Sequence, residues 1–222
     1  ARYLALDNMA KKHGAVAVLL GHTKDDQAET VLLGLARGSG ARSLSGMASV
    51  NGIYIRPFLE ISRKETEEAC QELGLQPWQD PHNDDLKFKR VRVRKNVLPI
   101  LERELGPGIS DALTRSAQLL RDDADALEQL ARAFWEQDQS LEINSLLKLS
   151  KAVRTRVLRI ALLQAIKDSS VNAGENKGSA QLSSEQVGQV EALVSNWKGQ
   201  GEVSLPAGVK VSRISGRLTL SI

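Results

Sequence analysis

Hydrophobic and polar positions at the start of the chain alternate between helical and strand patterns. Residues 2–13 carry apolar side chains at helical spacing, and the glycine that follows them predicts the end of that helix. The run Ala15–Leu20 is apolar throughout, which predicts a strand buried on both faces at the centre of a parallel sheet. Thr23 and Asp26 form a capping-box pattern, which opens a second predicted helix that runs to about Arg37.

The next segment repeats the order of strand and helix. Ile53–Ile55 predicts a short strand that a proline ends, and Ser62 with Glu65 forms a second capping box. The helix that it opens is predicted to end before Gly74. Strands that alternate with helices indicate the α/β class.

The second half of the chain has a different pattern. Apolar residues at intervals of three to four from Ser110 to Phe134 predict a long amphipathic helix, and a further helix is predicted over about 151–166. The polar stretch Asp168–Ser184 predicts a flexible loop, and a capping pattern then opens a last helix. Alternating apolar positions after residue 202 predict three closing strands. We therefore expect an α/β domain over residues 1–105 and a mainly helical domain, ending in a small antiparallel β-sheet, over residues 106–222.

Composition narrows the class of protein. The chain has 222 residues, of which 41% are hydrophobic and 26% charged, as in soluble globular proteins. Its longest apolar run has six residues, far short of a membrane span. A single cysteine, Cys70, excludes an intrachain disulfide and favours a reducing, cytoplasmic location. The chain starts with alanine rather than methionine, which we interpret as the loss of an upstream portion.

A polar cluster follows the first predicted strand, at the place where open α/β sheets bind ligands. Asp26 and Glu29 are three residues apart and so share a helix face, and His22 in the preceding turn can lean over the same spot. Two carboxylates and an imidazole suit a cationic amine or a magnesium ion. The alternative is that acidic residues in the first turn only complement the helix dipole.

Positive charge is concentrated in one segment, although the net charge is only +3. Lys87–Lys95 holds six basic residues in nine positions, and an extended backbone would place Arg90, Arg92 and Arg94 on one side. Such a row can grip a phosphate backbone; the alternative is a solvated charged surface. Arg37 precedes two glycines, which permit close approach of the backbone to a ligand. The alternative is that Arg37 only complements the helix dipole at the end of its helix. We interpret the three tryptophans as packing residues.

Four motifs occur in order within residues 1–101: GHTKDDQAETVLLGLARGSG, IRPFLEISRKE, WQDPHND and FKRVRVRKNVLPIL. Together they closely resemble the tRNA(Ile)-lysidine synthase family of the PP-loop ATP-pyrophosphatase superfamily. The remaining residues resemble the family's substrate-binding domain loosely, in the order of their elements. The resemblance implies the C-terminal part of a Rossmann-like PP-loop domain.

The resemblance also implies a reaction and its site. Such an enzyme uses ATP, with Mg²⁺, to adenylate the C2 oxygen of the wobble cytidine in isoleucine tRNA with a CAU anticodon, and L-lysine then displaces AMP. Four matched residues would surround the lysine and the cytidine: Arg2, His22, Asp26 and Glu29. Arg37 and the arginines of the basic segment would contact tRNA or phosphate.

Two other interpretations stay open at this point. One is another PP-loop enzyme, such as a tRNA 2-thiocytidine synthetase, although its sulfur chemistry needs several cysteines. The other is a tRNA-binding module without catalytic activity. The family's pyrophosphate-binding motif, Ser-Gly-Gly-x-Asp-Ser, does not occur in these residues, so we expect the chain alone to be inactive. We also expect the first strand to expose an apolar edge, through which the chain forms a homodimer or another association.

Overall fold

The computed structural model describes residues 2–38, 40–172 and 182–221. The chain divides into two compact units, Ala1–Ala124 and Asp125–Ile222. One helix, α7 (Ile109–Gln137), contributes to both units. The boundary between the units therefore falls inside α7. The predicted division after Leu105 stays a prediction.

The first unit is a small sheet with helices before, between and after its strands. Its elements are α1 (Arg2–His13), β1 (Val18–Leu19), α2 (Lys24–Leu35), α3 (Ala41–Leu44), β2 (Val50–Asn51), β3 (Tyr54–Ile55), α4 (Arg63–Glu72), a 3-10 turn (Pro81–Asn83), α5 (Lys89–Arg92), a π-helical segment (Val93–Val97), α6 (Leu98–Leu105) and the first part of α7.

The sheet of the first unit has the order β1-β3-β2, in which β1 is parallel to β3 and β2 is antiparallel to it. The prediction of a central strand over Ala15–Leu20 is therefore wrong, because β1 lies at an edge and covers two residues. Val16 is 92% exposed and Leu19 68% exposed. The predicted exposure of an apolar edge is confirmed, since β1 pairs on one side only among the described strands.

The predictions based on helix ends are confirmed. α2 and α4 begin with the predicted capping boxes, and a third opens α10 (Ser184–Ser195). Gly14 and Gly74 follow α1 and α4 with φ of +61° and +66°, the left-handed conformation that ends a helix. α3 and β2 were not predicted, because two to four residues are too few to show a periodicity.

The basic segment is helical, so the extended backbone that would place Arg90, Arg92 and Arg94 on one side does not occur. α5 and the π-helical segment contain residues 89–97, and Arg92 leaves the face that Arg90 and Arg94 share. The cause is packing: Val93 and Leu98 are buried in one cluster with Ala28 of α2. A helix buries these apolar residues and pairs its own backbone groups at the same time.

The second unit has a larger apolar core. It contains the rest of α7, α8 (Ile143–Leu147), α9 (Lys151–Asn172), α10, β4 (Val203–Ser204), a 3-10 turn (Pro206–Gly208), β5 (Lys210–Ile214) and β6 (Arg217–Ser221). The predicted antiparallel closing sheet is confirmed, with the order β4-β5-β6. Fully buried leucines and valines of α9, α10 and β5 meet between the helices and this sheet.

The predicted loop over Asp168–Ser184 is wrong at its start, because α9 continues to Asn172. Residues 173–181 of that loop lie outside the described residues. Within the described ranges, no helix is both long enough and apolar enough to span a membrane.

The tryptophans differ from one another. Trp135 packs against the core of the second unit, as predicted. Trp78 is 80% exposed, so its interpretation as a packing residue is wrong. Trp197 lies 5.3 Å from the guanidinium carbon of Arg213, a cation–π contact.

Two neighbouring leucines of α9 test where the apolar core of the second unit lies. Leu162 is 1% exposed and Leu163 is 41% exposed. We expect Leu162→Ala to lower the free energy of unfolding by about 2–5 kcal/mol, because it leaves a cavity in a packed core. Leu163→Ala should cost less than about 1 kcal/mol. Urea denaturation followed by circular dichroism measures both; equal losses would contradict this assignment of the core.

Candidate functional site at the start of α2

The first turn of α2 lies just past the carboxyl end of β1. Its capping box fixes one carboxylate: Oδ2 of Asp26 accepts hydrogen bonds from the backbone N–H and the hydroxyl of Thr23, at 2.9 and 3.1 Å. Asp26 is 8% exposed, and its second oxygen, Oδ1, faces arginine side chains. The helix cap and the arginine contacts thus fall on different oxygens of the same residue.

Arg94 connects the two predicted carboxylates. Its Nε donates a hydrogen bond of 2.6 Å to Oε1 of Glu29, which is fully buried, and its Nη2 lies 3.5 Å from Oδ1 of Asp26. Burial alone would lower the pKa of Arg94, but the hydrogen bond and the charge of Glu29, with the charge of Asp26, raise it. The guanidinium therefore stays charged between two carboxylates.

Two more arginines approach Asp26. Nη2 of Arg63 lies 3.7 Å and Nη1 of Arg90 lies 4.0 Å from Oδ1 of Asp26. Arg90 also donates a hydrogen bond of 2.6 Å to the hydroxyl of Thr30, and the backbone N–H of Arg63 donates to Asp25. Three carboxylates thus balance three guanidinium groups around the first turn of α2. We name these six residues the charge cluster: Asp25, Asp26, Glu29, Arg63, Arg90 and Arg94.

Sequence reasoning missed Arg63 and a further arginine, Arg56. Both lie in the motif IRPFLEISRKE, and the family resemblance implies no role for either of them. Arg56 is 6% exposed; it donates to the carbonyl of Ala48 at 2.8 Å and to the hydroxyl of Tyr3 at 3.1 Å. The signal available in the sequence was the position of Arg56 directly after the predicted strand. Its burial is notable because arginine side chains are seldom buried.

Four buried side-chain atoms have no hydrogen-bond partner within the part of the chain that the structure describes. They are Nδ1 of His22, Oε2 of Glu29, Nε of Arg56 and Nε of Arg63. Glu29 and Arg63 belong to the charge cluster, and the charge of Arg56 acts on His22. Such atoms are rare in folded proteins and each calls for an explanation such as a bound water, ion or ligand.

His22 is held neutral. Its pKa is lowered from 6.5, chiefly by burial; the charge of Asp26 opposes this, and the positive charges of Arg56, Arg2 and Arg90 add to it. The side chain is half-buried. At pH 7 its unpartnered Nδ1 can therefore accept a proton or a hydrogen bond.

The other predicted site residues are spread out. Arg2 is exposed at the start of α1, close enough to affect His22. Arg37 is exposed after the end of α2, about 16 Å from Asp26 along the helix axis at ~1.5 Å per residue. Arg92 donates to the carbonyls of Leu86 and Lys87 and so fixes the loop before α5. The structure thus joins Arg90 and Arg94 to the carboxylates but not Arg37 or Arg92.

The charge cluster does not fit a magnesium ion. No group of three or more His, Cys, Asp or Glu side chains in the described ranges has an arrangement that could hold a metal. Both carboxylates of the predicted pair are already engaged by arginine. We therefore assign no chemical step to a metal at this position.

Titration of His22 tests the electrostatics of the site. Its pKa should lie below 6.5. Asp26→Asn should lower it further, because a stabilising negative charge is lost, and Arg90→Gln should raise it, because a repelling charge is lost. NMR of the imidazole resonances against pH measures all three values. Shifts in the same direction for the two variants would contradict the geometry described here.

Comparisons with known proteins agree with the order of the two domains. The family model of the PP-loop domain matches residues 1–101, and that of the TilS substrate binding domain matches residues 141–219. The predicted fold class, a PP-loop α/β part followed by a mainly helical domain with a small antiparallel sheet, is thereby confirmed.

Three similar curated proteins have the same name, tRNA(Ile)-lysidine synthase. The chain is 48% identical over 225 residues to a tRNA(Ile)-lysidine synthase of Thermobifida fusca, covering 100% of this chain and 66% of that protein. It is 49% identical to that of Streptomyces coelicolor and 44% identical to that of Mycobacterium tuberculosis, covering 99% and 98% of this chain and 62% and 65% of those proteins. The chain thus spans a little under two thirds of the length of these relatives. On these matches and the four motifs, the chain belongs to the tRNA(Ile)-lysidine synthase family.

Proposed function

We propose that the chain forms the lysine- and cytidine-binding part of an ATP-dependent tRNA modification enzyme of the cytoplasm. The reaction ligates L-lysine to C2 of the wobble cytidine in isoleucine tRNA with a CAU anticodon, through an adenylated intermediate. The observation that carries the proposal is the set of unpartnered buried atoms beside the charge cluster. These atoms comprise two acceptors, on Glu29 and His22, and two N–H donors, on Arg56 and Arg63.

A lysine substrate offers what this set requires. Oε2 of Glu29 is a buried carboxylate oxygen available to an ammonium group, whereas Oε1 of the same residue is occupied by Arg94. Charge-assisted hydrogen bonds of this kind are short and strong. We assign ammonium binding chiefly to Glu29, with Asp26 holding the arginines in place.

The attacking amine has to lose protons during the reaction. His22 is neutral at pH 7 and has an unpartnered ring nitrogen, so it is our candidate for the general base. In the proposed step the lysine nitrogen forms a bond to C2 of the cytidine while the bond from C2 to the AMP oxygen breaks. The ammonium first loses one proton to solvent, a second proton passes from the attacking nitrogen to His22, and AMP leaves with the electron pair of the broken bond.

The positive groups around His22 suit the anionic partners of the reaction. Arg2 and Arg56 add charge beyond the balanced charge cluster, and Arg90 lies at its edge. Guanidinium groups bind phosphate oxygens through their fork of donors. We assign Arg2 and Arg90 to the phosphate of the adenylated cytidine, and leave Arg37 and Arg92 to tRNA backbone contacts.

The alternatives are less well supported. The curated relatives described above are named tRNA(Ile)-lysidine synthases, not 2-thiocytidine synthetases, and the chain has one cysteine. A binding module without catalytic activity would not require both an unpartnered buried carboxylate oxygen and a neutral histidine with an unpartnered ring nitrogen.

Substitution of Glu29 tests the proposal. In the whole gene product that carries these residues, Glu29→Gln should lower kcat/KM for lysine about 10- to 100-fold, because a hydrogen bond to a charged group is worth about 1.5–3 kcal/mol. Asp26→Asn should impair lysine use more than ATP binding. Incorporation of labelled lysine into transcribed isoleucine tRNA measures the first effect and nucleotide titration the second.

The control for this assay is Glu68→Gln on α4, an exposed residue paired with Lys64. It should leave lysine incorporation unchanged. Unaltered lysine kinetics in both Glu29→Gln and Asp26→Asn would overturn the assignment of the lysine site.

We also propose that the exposed edge of β1 binds another polypeptide. When the chain is isolated, this polypeptide is a second copy of the chain. Its support is the exposure of Val16 and Leu19 next to unpaired backbone groups. Sedimentation velocity of the chain should show association that increases with concentration. Leu19→Lys should weaken it, whereas Leu163→Lys on α9 should not. A monomer at every concentration would contradict this proposal.

A further inference from the structure

Gln27 lies between the two site carboxylates in the sequence but bonds to a different part of the first unit. Its side chain is 7% exposed. Nε2 donates a hydrogen bond of 2.8 Å to the carbonyl of Met47, and Oε1 accepts one of 2.6 Å from the N–H of the same residue. Both polar atoms of the amide are thus committed to one loop residue, 20 positions further along the chain.

The loop Ser45–Met47 is shaped to receive this amide. Gly46 has a φ of +63°, and a Cβ built on it would lie 2.5 Å from Oε1 of Gln27. The approach is therefore closer than any side chain at residue 46 allows. On its other side the loop is held by Arg121 of α7, whose Nη2 donates to the carbonyls of Ser45 and Gly46, at 2.5 and 3.0 Å. We name the contacts of Gln27 and Arg121 with this loop the loop clamp.

Helix geometry places the loop clamp behind the site. At about 100° per residue, Gln27 lies roughly 130° around α2 from the line midway between Asp26 and Glu29. Gly34, seven residues on, shares the direction of Gln27, and a Cβ built on it would lie 3.3 Å from Leu44 and 3.4 Å from the carbonyl of Ser43. Ala28 points to the remaining side, into the cluster with Val93 and Leu98. α2 therefore has three faces. One carries Asp26 and Glu29, one is turned towards α3 and the loop Ser45–Met47, and one packs against the basic segment.

Directed bonds also join α2 to Arg63 and Arg90, but those lie around the carboxylates themselves. Gln27 supplies a pair of such bonds on the side of the helix that faces the loop. Ala28 and Gly34 offer small surfaces that tolerate sliding, whereas the paired hydrogen bonds of Gln27 require one orientation of the helix. A rotation of about 20° at a helix radius with side chains of about 5 Å moves the carboxylates by nearly 2 Å. That displacement would break the 2.6 Å bond from Arg94 to Glu29.

We infer that Gln27 is a positioning residue, which fixes the rotation of α2 through the loop clamp so that Asp26 and Glu29 meet Arg94. The chemistry that this geometry serves rests on the proposed function, but the geometry itself does not. Arg121 is the second positioning residue, because it holds the loop to which Gln27 binds.

The Nε–H group of Arg94 provides a test that needs neither lysine, ATP nor RNA. In the unaltered chain its NMR signal should be resolved and protected from solvent exchange, because the group bonds to a buried carboxylate. Gln27→Met keeps the volume of the side chain and removes both hydrogen bonds. We expect it to shift or abolish the Arg94 signal while amide signals of residues 182–221 stay in place.

Gln27→Glu adds a reversible version of the same test. An ionised carboxylate keeps the bond from the Met47 N–H but repels its carbonyl, so the Arg94 signal should be perturbed at pH 7.5. Protonation restores a donor, and burial raises the pKa of the introduced group above about 4.3. The signal should recover towards its unaltered position as the pH is lowered through the pKa of the introduced group, and Gln27→Met should show no such recovery.

A purely local role for Gln27 gives a different result. The amide signals of Ser45–Met47 would then change in Gln27→Met while the Arg94 signal stays unaltered, and that outcome would overturn the inference. Arg121→Gln carries the test if the Gln27 variants fail to fold. It should shift the Arg94 signal from its position in the unaltered chain, because it loosens the loop that holds Gln27; an unperturbed Arg94 signal would again overturn the inference.

Discussion

The buried carboxylate of Glu29 constrains most of the first unit. A carboxylate without exposure is unfavourable by several kcal/mol unless a positive partner and hydrogen bonds accompany it. Its partner, Arg94, is 65 positions further along the chain. To bring the two together, the basic segment has to pack against α2, and Val93 and Leu98 provide the apolar contact that does so. Removal of either partner would leave a charge uncompensated, which costs about 3–5 kcal/mol in buried pairs.

Features that depend on neighbouring residues could be predicted from the sequence. The capping boxes that begin at Thr23, Ser62 and Ser183 are four-residue patterns, and each one opens a helix as predicted. The convergence of Asp26 and Glu29 is equally local, because residues three apart on a helix must share a face. The fold class, most of the longer helices and the pairing of Asp26 with Glu29 therefore follow from short-range rules.

Features that depend on distant partners could not be predicted in this way. The apolar composition of Ala15–Leu20 indicates a need for burial, but the pattern cannot tell which strands are present to provide it. The basic segment alternates in a way that suits a strand, and the packing of Val93 on Ala28 makes it helical. The role of Arg63 depends on a turn of chain that places it beside Asp26, 37 positions earlier in sequence numbering, and no local rule specifies such a contact.

The balance of charge around α2 also bears on how the substrates of the proposed reaction affect each other. The three carboxylates and three guanidinium groups of the charge cluster cancel, so an arriving ammonium at Glu29 leaves the site with a surplus positive charge. Two unit charges 4 Å apart interact by about 4 kcal/mol at the effective dielectric constant of a protein surface. The surplus favours an anion nearby, and the adenylated cytidine carries a phosphate. Lysine and the activated base should therefore each strengthen the binding of the other, since coupling between two sites is reciprocal. A site already neutralised by arginine thus selects the pair of reactants over either one alone.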